Sequence, residues 1–172
     1  MASLMEDLIR VLGQECDLYE ELLKLSSRKT PVIVAGNLQE LASITDEEQG
    51  IVARISGLEK ERTQAMKDIA TVLNKDVTTL KLTDLIRMLD KRPTEQKQLS
   101  AERDRIREVA DNVKRVNGQN QELLKSSLEM VQYEMNILQS QRKAPETANY
   151  TRAAGTAGEA IGVSAHGFDA KQ

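Results

Sequence analysis

An all-α fold is predicted for this 172-residue chain by three observations. Apolar residues recur at alternating three- and four-residue spacing over stretches far longer than an ordinary globular helix. Aromatics are nearly absent (three Tyr, one Phe and no Trp), while 30% of residues are charged with both signs interspersed. That composition suits long helices packed along narrow seams. The periodicity then dissolves into a tail of small residues. The expected architecture is an elongated antiparallel helical hairpin within a bundle of three long coiled-coil helices, with a short connecting helix and a disordered C-terminal tail. The bundle is expected over residues 1–142 and the flexible tail over 143–172.

The first helix is expected over about 3–35, capped by Ser3. Leu4, Leu8, Val11, Leu18, Leu22 and Leu25 form its seam, Glu15 is the one polar seat, and Leu12, Cys16, Tyr19 and Leu23 lie along the flank. Pro31 lacks an N–H and crowds the carbonyl four residues earlier, which predicts a kink. The apolar pattern resumes at Val32, Ile33 and Ala35. Gly36 suits a left-handed C′ position and Asn37 the next N-cap. So short a connection makes the first two helices antiparallel neighbours.

The second helix is expected over 37–73. Its seam is Leu41, Ile44, Ile51, Ile55, Leu58, Ala65, Ile69 and Val72, interrupted by Glu48 and Arg62, which either pair or snorkel. At about 1.5 Å per residue it is about 50 Å long, too long for a compact globule. Between Asn74 and Pro93 the pattern breaks. Thr83 is placed to cap a short helix over 83–91 that covers the open end of the hairpin, and Lys91-Arg92-Pro93 ends it.

The last helix is expected over 94–142 with Thr94 as its cap. Leu99, Ile106, Val109, Val113, Val116, Leu123, Met130 and Ile137 form one seam. A second register, Leu124, Leu128, Val131, Met135 and Leu138, opens beside it in the last third. One stripe buries a helix against one neighbour; two adjacent stripes are wide enough to hold a second partner. Both readings of that width, intramolecular core and partner surface, stay open on the residues alone. Gly118 sits inside this helix at a cost of about 1 kcal/mol against Ala, marking either a close approach of backbones or a weak point. From Ala144 onward too little apolar surface remains to offset ordering entropy, so the tail is expected to be mobile.

The residues argue against chemistry. A formal charge of −3 lacks the basic stripe that nucleic acid requires. The densest basic stretch, Arg103, Arg105, Arg107, Lys114 and Arg115, is interrupted by Glu102, Asp104, Glu108 and Asp111 and reads as a solvated face. The sole histidine, His166, falls in the tail, and Cys16 has no histidine near it in sequence. Carboxylates follow helix-face spacing, no His/Cys metal spacing occurs, and no glycine run forms a phosphate loop. No enzyme activity and no cofactor are expected. Met1–Arg10 lacks a basic-then-apolar leader, and no stretch approaches the roughly 20 apolar residues of a membrane span, so a cytoplasmic location is expected.

Several motifs carry a family resemblance. Leu18-Tyr19-Glu20-Glu21-Leu22-Leu23-Lys24-Leu25, Lys29-Thr30 and Gly36-Asn37-Leu38-Gln39-Glu40-Leu41 resemble the first helix and hairpin of the FlgN family of flagellar export chaperones. Glu47-Glu48-Gln49 and Leu58-Glu59-Lys60-Glu61-Arg62 resemble its second helix. Asn117-Gly118-Gln119-Asn120-Gln121-Glu122-Leu123-Leu124 and Ser127-Leu128-Glu129 resemble its last, and Tyr150 with Phe168-Asp169-Ala170-Lys171 its tail.

The resemblance implies a cytoplasmic chaperone that holds hook–filament junction proteins before secretion and delivers them to the export gate without ATP chemistry of its own. Clients would lay amphipathic C-terminal segments on Leu123, Leu124, Leu128, Val131, Met135 and Leu138, and Tyr150 would contact the gate. The rival expectation is a self-associating coiled-coil scaffold that uses the same face and has no secreted client.

Overall fold

The computed structural model describes residues 2–143 as four helices. They are α1 (Ala2–Ala35), α2 (Leu38–Val72), α3 (Leu82–Met88) and α4 (Pro93–Lys143). The fold is all-α, three long helices and a short one, as the periodicity predicts. The expected tail lies outside the described residues.

The first unit ends at Leu128. Within it α1 and α2 are antiparallel, since partner numbers fall on one helix as they rise on the other. Glu15 meets Arg62 at 3.0 Å, Glu21 meets Arg54 at 3.7 Å, and Lys29 meets Glu48 at 2.7 Å. Gly36 makes the reversal possible. Its φ of 67° lies where a Cβ would be strained, and its N–H donates to the Ile33 carbonyl while that of Asn37 reaches back to Val32. These two bonds satisfy carbonyls that the end of α1 would otherwise leave open. Asn37 then starts α2, its Oδ1 accepting the Glu40 N–H at 3.1 Å. The far end of α2 closes in the same way around Asn74 (φ 51°), with Asn74 N–H on Thr71 and Lys75 N–H on Ala70.

α4 runs parallel to α1. The Cys16 thiol donates to the Glu102 carbonyl, Arg105 pairs with Asp17 and Glu20, and Asn120 bonds Ser26, so numbers rise together. α3 makes that direction possible by carrying the chain back across the open end of the hairpin. There Met5, Leu8 and Leu12 of α1, Ala65 and Ile69 of α2, Leu85, Ile86 and Leu89, and Leu99 of α4 form one buried cluster. A second joins Leu18 and Leu22, Ile51 and Ile55, and Val113. Each such side chain removed from water contributes about 1.5–3 kcal/mol before entropy is counted.

Three caps differ from expectation. α1 already includes Ala2, so Ser3 lies in its first turn. Lys81, not Thr83, precedes α3, and the Asp84 carboxylate accepts its N–H at 3.3 Å. Pro93, not Thr94, opens α4; its missing N–H costs nothing in a first turn, and Arg92 accepts the Gln96 N–H. α1 continues through Pro31 to Ala35.

The second unit begins at Glu129 with the remainder of α4. Every side chain described from Glu129 to Arg142 is exposed.

Candidate partner-binding face

The face begins where a buried polar node ends. Asn120 is 3% exposed and bridges to α1: its Nδ2 donates to the Ser26 carbonyl at 2.8 Å, and its Oδ1 accepts from the Thr30 hydroxyl at 2.7 Å. Ser26 in turn donates to Glu48 Oε1 at 3.0 Å, and Lys29 donates to Oε2 at 2.7 Å. Glu48, a polar interruption of the α2 seam, is therefore paired with α1. Arg62 is paired as well, donating to Glu15 at 3.0 Å. The other Glu15 oxygen is buried without a partner, and burial pushes this carboxyl above its ordinary range despite the guanidinium. Sequence periodicity missed Asn120, although it occupies the seat one turn past Val116 where an apolar residue would stand. An Asn on a seam was the available signal.

One and two turns beyond Asn120 stand Leu124, half-buried, and Leu128, 69% exposed. Leu123 is also half-buried. Val131, Met135 and Leu138 follow, exposed by 52%, 49% and 58%. Met130, Tyr133 and Ile137 are exposed too. The expected seam through Met130 and Ile137 is thus not buried. The register beside the seam, Leu124, Leu128, Val131, Met135 and Leu138, is likewise exposed past Leu124, so both apolar registers of this stretch face solvent. α4 keeps the spacing of a core helix here. Its flanks change: eleven charged residues lie between Glu95 and Gly118, but five between Gln119 and Arg142.

Gly118 is not a point of close approach, because a Cβ there meets nothing within 4 Å. Cys16 is fully buried, and burial together with Glu102 pushes its thiol up to about 12, leaving it protonated and unreactive. Tyr150 and His166 lie outside the described residues. Among the described residues no cluster of His, Cys, Asp or Glu is arranged to hold a metal ion, and no helix is long and apolar enough to cross a membrane.

Neither the curated proteins nor the solved structures hold a match to this chain. The family model described as FlgN protein matches residues 1–158, which include the whole helical hairpin, the polar node at Asn120 and the exposed stripe that follows it. By that match the chain belongs to the FlgN family of flagellar export chaperones.

Proposed function

We propose that the protein is a cytoplasmic chaperone that binds the amphipathic C-terminal segments of hook–filament junction proteins along Leu123, Leu124, Leu128, Val131, Met135 and Leu138, and passes them to the flagellar export gate. One observation carries the reading: α4 maintains core spacing through Leu138, yet its apolar residues past Leu124 are exposed. Apolar seats at helical spacing accept an amphipathic helix, and methionines let such a surface accept more than one sequence. Five anchors at about 3 kcal/mol each, less about 5 kcal/mol for ordering the client, leave about 10 kcal/mol, enough for micromolar affinity. Tyr150 is the aromatic we assign to the gate, a ring that enters a pocket at low rotamer cost.

Titration of the full-length protein with the C-terminal segment of a junction protein from the same genome tests this reading. Met135→Ala should weaken binding about ten-fold while helicity and denaturation midpoint stay unchanged. Unchanged affinity, or a wild-type protein that binds no junction protein and pairs only with itself, would leave the scaffold reading in its place.

A further inference from the structure

The α1–α2 turn lies at the end of the first unit where α4 begins to lose its cover. Thr30 and Asn120 bond each other across α1 and α4. The next seat on that face of α1, one turn on, is Val34, which is 70% exposed. The next seats on α4 are Leu124 and Leu128. Leu38, which opens α2 immediately after the turn, is 76% exposed. Partners across α1 and α4 differ in number by 90 and 94 here, which puts Gly36 level with Leu128. Three large apolar side chains from three helices are therefore uncovered at one end of the bundle.

Two further properties suit this end to burial. From Pro31 to Gln39 no residue is ionisable, in a chain that is 30% charged, so a partner can cover the turn without stranding an ion. The turn's own backbone bonds are closed through Ile33 and Val32, so what it offers is apolar area and not hydrogen-bond donors.

We infer that this hairpin tip is a second part of the client site, with Val34 and Leu38 seating one end of the client's helix. The inference rests on the reading of α4 given above. The occupant follows from continuity: a helix laid on Leu124 and Leu128 takes the place along α4 that α1 vacates at Ala35. Its end then meets the turn, where apolar residues replace water. The tip thereby sets where along the client the bound helix stops.

The test uses the full-length protein and the C-terminal segment of the same junction protein, by calorimetric titration. Val34→Ser combined with Leu38→Ser should weaken binding about ten-fold and leave the denaturation midpoint unchanged, since both side chains are already exposed. If the pair binds within about two-fold of wild type while Met135→Ala loses affinity, the tip is no part of the site and the reading of α4 stands. If neither change weakens binding, both fall. Sedimentation closes the remaining case: a wild-type dimer dissociated by the paired substitution, with client affinity unchanged, would make the tip a contact between copies and overturn the inference.

Discussion

α4 carries one apolar spacing in two settings. From Leu99 to Val116 its seats are buried or half-buried against α1, α2 and α3; from Leu128 to Leu138 the same spacing is exposed. Periodicity therefore reports that a face can pack, without reporting what it packs against. What separates the two stretches is their surroundings. In the first, Arg105 reaches Asp17 at 2.7 Å and Glu20 at 2.8 Å, tying α4 to α1 beside buried Cys16. In the second, Gln132, Asn136, Gln139, Ser140 and Gln141 replace most of the charges. Opposite charges tie a helix to one partner; amides and hydroxyls leave several acceptable.

The sharpest way to break this comparison is to truncate one leucine or valine from each setting. Leu99 is fully buried, so Leu99→Ala should cost about 2–5 kcal/mol of unfolding free energy. Val131→Ala should stay within about 0.5 kcal/mol. Urea denaturation measures both, and equal losses would mean that the end of α4 is core after all.

Asn120 marks the boundary between the settings. Replacing it with Ala strips the Ser26 carbonyl and the Thr30 hydroxyl of their buried partner and should cost about 1–3 kcal/mol. Its exposed neighbour Gln121 should tolerate Ala within about 0.5 kcal/mol. A neutral Asn120→Ala in the same denaturation series would show that the node does not hold α4 in register.

The smallest expected effect is electrostatic and confined to the first setting. The Glu15 carboxyl is raised above 4.5 by burial, so the folded state holds its proton more tightly than the unfolded state does. Stability from this group is complete below the unfolded value and is lost as pH rises through the folded one. Glu15→Gln should therefore remove part of the decline in melting temperature above pH 4.5, leaving the variant relatively more stable at pH 7 than at pH 4. A difference between the two proteins that is flat across that range would show that Arg62 fully offsets the burial.

Much of this was legible in the residues. Leu8, Leu18, Leu22, Ile44, Ile51, Ile55 and Ile69 are buried where their spacing put them, and Gly36-Asn37 forms the turn its conformational preferences dictate. The three misplaced caps were local competitions that sequence does not resolve: Ser3, Thr83 and Thr94 are good cap residues, but the chain entered each helix one or two positions earlier. The seam through Met130 and Ile137 is not buried because every described side chain of α4 past Leu124 is exposed, whatever its register, and spacing alone does not say where a neighbour ends. Asn120 and Val34 escaped for opposite reasons. One is polar and buried because Ser26 and Thr30 lie opposite it; the other is apolar and exposed because nothing described covers it. Both depend on what stands across from a residue.

The parallel course of α1 and α4 also sets an order of assembly. The bonds that join α1 to α2 span 19 to 47 residues, whereas those that join α1 to α4 span 85 to 94. Loop-closure entropy rises with that separation, so the hairpin closes first and α4 docks onto a surface already formed. During synthesis the same sequence holds, because the hairpin leaves the ribosome before α4 does. The exposed end of α4 therefore emerges after α1 and α2, whose facing seats have by then had time to close on each other.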